Sequence, residues 1–352
     1  MMTFEQPTAA AVPGALMAAE IAEQPAVFDR ILAEGLGDVG VVAARIRETA
    51  PRFVLIAARG TSDHAALYFK YLVEIVLGLP CGLASPSTTT AYGAEPDLRD
   101  VLWVAVSQSG GSPDLLESTR AAGRAGALTL AVTNNPDSPL AAAAELHLDV
   151  RAGHEKAVAA TKTYTATLLT LWLLVDAWSD RRQVDGPGLV AAAEAAVSLD
   201  GVAQVAGHYR FVEKLVLTGR GYAYPTAREA ALKLMETSYL AAHAFSGADL
   251  LHGPLAMVDS ERPVLALVPH GVAGRAMGPV LERLRDRGAD LTVVGDAESA
   301  GQEPAIILPR VAEEVSPLIE IIPMQRLAHA MALARHENPD APRGLSKVTR
   351  TT

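Results

Sequence analysis

Three groups of residues have types and spacings suited to chemistry. In PTAREAALKLMETSYLA (225–241), Glu229, Lys233 and Glu236 fall at i, i+4 and i+7 and share one helical stripe. A solvated face with a stabilising Glu–Lys pair reads the same way. The other faces carry Ala, Leu, Met and Tyr, so this helix is expected to be mostly buried and its charged stripe to line a cavity. A carboxylate held there beside a lysine is a proton-transfer base, tunable by burial and neighbours. The second group lies in VLWVAVSQSGGSPD (101–114), where an apolar run stops at Ser107-Gln108-Ser109-Gly110-Gly111-Ser112 before Pro113. A buried strand, a loop of hydroxyls and glycines, and a helix N-terminus would aim N–H groups at one spot suited to a phosphate monoester. An ordinary strand-to-helix turn rich in Ser and Gly is the other reading. The third group is His252, in the turn DLLHGP, and Lys347, in PRGLSK. A structural or exposed turn histidine and a mildly basic terminus are the plain readings; a lysine packed into a site becomes a Schiff-base nucleophile.

Elements that position these groups follow from periodicity. Strands are expected at 52–58, 81–84, 101–106, 127–132 and 145–150, then at 214–218, 264–268, 291–294 and 305–308, with helices between them. Asp63 or Ser62 is the expected N-cap of the helix after the first strand, and 224–241 is expected to be one helix. Alternating strands and helices imply doubly wound parallel sheets with ligands beyond the strands' carboxyl ends. There the hydroxyls of Thr61 and Ser62 can converge with the Ser107–Ser112 loop. FVLIAARGTS answers KLVLTGRGYA, and VLWVAVSQSGGS answers PVLALVPHGVAG, so the halves read as a duplication in which only the first keeps the Ser-rich loop. The organisation is then a flexible start at 1–13, helices at 14–50, a first domain at 51–180, a linker at 181–187, a second domain at 188–335 and a tail at 336–352.

The formal net charge of −10 argues against broad nucleic-acid binding, and no apolar run reaches membrane-spanning length. With no visible signal peptide and one cysteine, Cys81, a cytoplasmic location is expected. No HxH, HExxH or His–Cys pairing occurs, so neither metal nor other cofactor is expected. There is no GxxxxGK[ST] and no dinucleotide-type glycine triplet, which favours a small phosphorylated metabolite over ATP or NAD.

The motifs RGTSDHA, SQSGGSPD, EKAVAATKTYT, GRGYAYPTAREAALKLMETSYLAAHAFSGADLLHGPLAMVD and PRGLSKVT occur in that order. Together, over roughly residues 15–352, they resemble the double SIS (sugar isomerase) architecture of the isomerase half of glucosamine-6-phosphate synthases. The AVAATK and GLSKVT forms look like the stand-alone SIS-type glucosamine-6-phosphate deaminases. The resemblance implies an α/β fold of two tandem SIS domains, each a doubly wound parallel sheet flanked by helices in a flavodoxin-like three-layer sandwich. It implies that Ser62, Ser107, Gln108, Ser109 and Ser112 hold a sugar phosphate, while Gly60, Thr61 and the backbone at Val158 contact the sugar. Glu236 would move the proton between C1 and C2, with Lys233 assisting and Glu229 positioning. His252, from the neighbouring subunit of a homodimer, would open the sugar ring. Lys347 would form a Schiff base with the keto sugar or hold the open chain.

This chain departs from the synthase pattern at Gly111, where the synthases have an acidic residue, at Ser112 for threonine, and at Ala160 for serine. A glutaminase domain with its nucleophilic cysteine is not expected here, so the expected reaction is glucosamine 6-phosphate plus water giving fructose 6-phosphate plus ammonia. Other amino-sugar or fructosamine phosphates remain open as substrates. So does a non-catalytic sugar-phosphate sensor, although such sensors carry a basic helix-turn-helix segment and residues 1–50 hold only Arg30, Arg45 and Arg47 as basic residues.

Overall fold

The structure, a computed structural model, describes residues 12–181 and 183–347. The expected flexible start falls largely outside this range, as do residues 348–352 of the tail. Two five-stranded sheets, all parallel, organise the chain. The first holds β1 (Phe53–Ala57), β2 (Cys81–Leu83), β3 (Val101–Ser107), β4 (Leu128–Thr133) and β5 (Leu146–Asp149) in the order β2-β1-β3-β4-β5. The second holds β6 (Lys214–Gly219), β7 (Ala241–Ser246), β8 (Val264–Val268), β9 (Leu291–Gly295) and β10 (Ile306–Ile307) in the order β10-β9-β8-β6-β7. Read from its other edge, the second order repeats the first strand for strand, as the paired motifs anticipated. In both sheets the third strand is central, and every residue of β8 is buried. Near-continuous apolar runs of this kind form because a parallel sheet is covered on both faces.

The helices between the sheets build one continuous core. Helix Lys162–Trp178 is buried at all but one position, which explains its apolar run without periodicity. It packs on helices Leu36–Thr49 and Thr61–Leu72 of the first half. Helix Ala223–Ser238 packs on Ser316–Ala334 and also on Thr61–Leu72, joining the two halves. The helices at Ala15–Ala22 and Gln24–Glu34 break at Glu23, just before Pro25, as Pro in a first helical turn predicts. The first is capped by the distant tail: Asp340 accepts from the N–H groups of Leu16 and Met17 at 3.1 and 2.8 Å.

Several boundaries differ from the sequence reading, each for a local reason. Neither Ser62 nor Asp63 caps the helix after β1; Gly60 is the N-cap, with φ 55° and no side-chain cap bond. Thr61 and Ser62 therefore lie inside the first turn. The expected helix over 224–241 ends at Ser238, where Tyr239 takes a left-handed conformation (φ 55°), and Ala241–Ser246 becomes β7 on the sheet edge. The run AAHAFS carries no β-branched residue, so composition gave no strand signal. The sequence pattern over 188–208 predicts one helix; the structure has two, Gly186–Val197 and Val202–His208, parted at Gly201 with φ 88°. Asp185 caps the first, so Gly186-Pro187 opens a helix and does not belong to the connecting segment. Among the described residues no single helix is long and apolar enough to cross a membrane.

One buried group in this core is electrically exceptional. Glu320, on Ser316–Ala334, is 1% exposed, and the hydroxyls of Ser316 and Thr226 offset only part of the cost of its burial. Burial pushes its carboxyl up from 4.5 to about 7. A carboxyl raised on folding favours the native state below its unfolded value, and that advantage disappears as pH climbs through about 7. Ionised Glu320 then costs on the order of 3 kcal/mol at pH 8. Replacing Glu320 with Gln is expected to raise the melting temperature at pH 8 and leave it near wild type at pH 4.5. Thermal unfolding at the two pH values checks this; an equal shift at both removes ionisation as the cause.

Candidate active site

The charged stripe is buried, not solvated. On helix Ala223–Ser238 the side chains of Glu229 and Lys233 are 0% and 1% exposed, while Glu236 is 21% exposed. Lys233 Nζ lies 3.3 Å from Glu229 Oε1 and donates to Glu236 Oε2 at 2.5 Å. It also donates to Thr61 Oγ1 at 3.1 Å, and Thr61 in turn donates to Glu229 Oε1 at 3.0 Å. The second oxygen of Glu229 meets His64 Nδ1 at 2.7 Å. Burial works against the Lys233 ammonium, but the carboxylates of Glu229 and Glu236 outweigh it and hold the lysine above its ordinary value. Burial likewise raises the Glu229 carboxyl, and Lys233 with His64 more than reverses this, so Glu229 is an anion. Thr61 and His64 come from the first domain, because Gly60 starts their helix at the carboxyl end of β1. The pair is thus completed across the domain boundary.

The hydroxyl loop after β3 faces the same place. Gly110 adopts φ 61°, and a Cβ there would lie 2.2 Å from the Ser138 hydroxyl, so only glycine lets the loop close against segment 133–140. Gln108 O and Gly110 O accept from the N–H groups of Asn134 and Leu140 at 3.0 and 3.1 Å. Ser107 and Ser109 each accept a loop N–H, from Gly110 and Gly111. Ser112, at the N-cap of Pro113–Arg124, makes no side-chain cap bond.

A cavity of about 330 Å³ brings these parts together. Gly60, Thr61, Ser62, Ser107, Gln108, Ser109 and Ser112 line its first-domain side; Val158 and Ala160 line it from the segment before helix Lys162–Trp178. Lys233 and Glu236 come from the second domain, and Ser346 and Lys347 from the tail. A larger cavity of about 740 Å³, beside Trp103, contains none of the sequence-derived candidates. Two candidates stand apart. Glu229 sits behind Lys233 and does not reach the cavity, and His252 is exposed at the end of helix Gly247–Leu251, outside it.

Sequence reasoning missed the group that ties three of these walls together. Glu155 is buried, accepts from Thr161 N at 2.7 Å and Thr163 N at 3.3 Å, and receives Gln108 Nε2 at 2.9 Å. Lys347 Nζ donates to the same carboxylate at 3.1 Å and to Ala157 O at 2.6 Å. Burial raises the Glu155 carboxyl, but Lys347 and the Thr161 N–H overcome it and keep it below the ordinary range. Its segment is supported from beneath by the buried Glu20 carboxylate, which accepts the N–H groups of Lys156 and Ala157. Glu155 lies in EKAVAATKTYT, but no spacing to another charge marks it, because its partners lie 47 and 192 residues away. Arg59 was also not singled out; it lines the cavity and pairs with Asp114 at 2.8 Å, adding a cation beside the hydroxyl loop.

A partly exposed carboxylate, a buried ammonium and a hydroxyl loop in one cavity suit proton transfer on an anionic, hydroxyl-rich molecule. A glutamine–fructose-6-phosphate aminotransferase (isomerizing) of Methanothermobacter thermautotrophicus is 37% identical over 338 residues, covering 94% of this chain and 56% of its own. The chain therefore spans about half the length of the curated relatives it matches. A Silicibacter pomeroyi structure assigned as a phosphosugar isomerase superposes with a TM-score of 0.84 at 34% identity, covering 94% of this chain and 100% of that one. The fold is also that of glucosamine-6-phosphate deaminase from Thermotoga maritima, with a TM-score of 0.79 at 22% identity over 96% of this chain and 100% of that one. Residues 50–177 and 209–334 each match the SIS domain, so the two sheets are two copies of one module, and the chain belongs to the SIS domain family.

Proposed function

We propose that the protein is a phosphosugar isomerase that acts as a glucosamine-6-phosphate deaminase, releasing fructose 6-phosphate and ammonia. The observation that carries the reading is the cavity in which the Ser107–Ser112 loop faces the Lys233–Glu236 pair. The loop hydroxyls and N–H groups, with Arg59, suit the 6-phosphate. The sugar chain then extends from the loop toward Glu236.

In the open-chain sugar the C1 aldehyde makes the C2 proton acidic. Glu236 takes that proton and returns it at C1, converting the C2 amine into an imine that water hydrolyses. Lys233 cannot serve as the base, since two carboxylates hold it as an ammonium. It fixes the Glu236 carboxylate and offers positive charge where the C1 oxygen becomes electron-rich. Lys347 contacts two acceptors, Glu155 and Ala157 O, an arrangement that suits an ammonium holding the open chain more than an amine attacking a carbonyl. Ring opening falls to His252 from a second copy of the chain, in a homodimer whose site is shared. Its exposed position at a helix end supports that role.

A panel of amino-sugar phosphates, assayed for ammonia and ketose phosphate, tests the reading. Turnover is expected to be fastest with glucosamine 6-phosphate. Preference for another member moves the substrate, and turnover of none leaves a sugar-phosphate sensor. Glu236→Gln is expected to lower kcat by about 10²–10⁴-fold with little change in KM; a variant of wild-type activity removes Glu236 as the base. Borohydride reduction in the presence of fructose 6-phosphate is expected to leave Lys347 unlabelled, as mass spectrometry of the tail peptide can establish. Covalent sugar on Lys347 restores the Schiff-base role.

A further inference from the structure

The second domain repeats the topology of the first, so the loop after β8 corresponds to the hydroxyl loop after β3. It reads Pro269-His270-Gly271-Val272-Ala273 and has no serine. Two successive N–H groups nevertheless converge on one anion, and that anion belongs to the chain. Glu313 Oε2 accepts from Val272 N at 2.8 Å, and Glu313 Oε1 accepts from Ala273 N at 2.7 Å. The carboxylate is packed in: a Cβ on Gly271, whose φ is 130°, would stand 2.5 Å from Glu313 Cδ and Oε2.

The rest of this sheet edge is closed too. Arg310 donates to Asp296 Oδ2 at 2.7 Å and Glu298 Oε2 at 2.9 Å, and Asp296 Oδ1 caps Ser299 N at 3.0 Å. The space left among His270, Asp296, Arg310 and Glu320 is about 10 Å³, room for about one water and far from the 330 Å³ of the first domain.

The next residue reaches the other way. Glu314 Oε1 accepts from Trp172 Nε1 at 3.2 Å and from Arg181 Nη2, and its carbonyl accepts from Tyr68 OH at 2.5 Å. Neighbouring residues thus engage the second domain's loop and the first domain's helices.

We propose that Glu313 is a built-in counter-anion: it fills, in the second domain, the place that substrate phosphate takes in the first, and with Glu314 it clasps the two domains. The comparison with substrate phosphate rests on the function proposed above; the clasp does not, and its test uses no sugar. Glu313→Ala is expected to lower the melting temperature by several degrees, and Glu313→Gln by a similar amount, because its amide NH₂ turns a donor toward an N–H. Sodium formate, a carboxylate small enough to enter the emptied place, is expected to restore part of the loss in Glu313→Ala relative to sodium chloride at equal ionic strength. It should leave the wild type unchanged. Wild-type stability in Glu313→Gln, or equal responses to the two salts, would overturn the counter-anion. Should the variants fail to fold, amide hydrogen exchange in the wild type decides: Val272 and Ala273 are expected to exchange about 100-fold slower than free amides. Exchange at free-amide rates overturns the contact.

Discussion

A buried ammonium sets the terms for this site. Lys233 sits with 1% of its side chain exposed, and an ion taken out of water demands compensation on all sides. Two carboxylates and a hydroxyl supply it, and they come from different places: Glu229 and Glu236 from the same helix, Thr61 from the other domain. Glu229 then carries a charge that needs its own partners, and His64 and Thr61 provide them. Each neutralisation passes the requirement one residue outward until the helix after β1 is held against the helix after β6. The Lys233–Glu229 pair and the domain arrangement are one electrostatic solution, since displacing either helix strips the buried charges of Thr61 and His64.

The duplication gains meaning from this coupling. Each copy of the module presents a loop at the carboxyl end of its central strand. In the first copy the loop borders an open cavity; in the second it is bound by the chain's own Glu313. What the second copy contributes to the cavity is a helix, Ala223–Ser238, and not a loop. The copies contribute differently to the cavity: the first lines it with hydroxyl loops, the second with the Lys233–Glu236 pair.

Much of this division was legible from sequence, for physical reasons. Parallel strands covered on both faces appear as unbroken apolar runs, and β1, β3, β4, β6, β8 and β9 were all visible in this way. The Glu229–Lys233–Glu236 stripe stood out because helical spacing places its members on one face. β7 did not, since its alanines carry neither β-branching nor alternation and its place is fixed by pairing with β6. The cap at Gly60 was misread for a related reason. Ser and Asp are favoured N-caps, yet here the backbone turns at a glycine two residues before Ser62, leaving the hydroxyls to face the cavity. Glu155 and His64 were invisible because their importance lies in partners remote in sequence, and one carboxylate in an alanine-rich segment has no periodic signature.

Glu155 also explains how a C-terminal tail becomes part of the cavity wall. Among the described residues the tail has no regular structure beyond Ala334, and contacts at three places fix its path. Asp340 caps the N-terminal helix, Arg343 lies over the Tyr239 ring at 3.9 Å, and Lys347 ends on Glu155. Tyr239 is the left-handed residue that stops helix Ala223–Ser238, so the tail is guided by the end of the element that carries Glu236. Glu155 accepts from Lys347 and Gln108 together, which makes the tail lysine and the hydroxyl-loop glutamine share one anchor. The hydroxyl loop and the tail are thus tied together by a single buried anion, with no contact between Gln108 and Lys347 required.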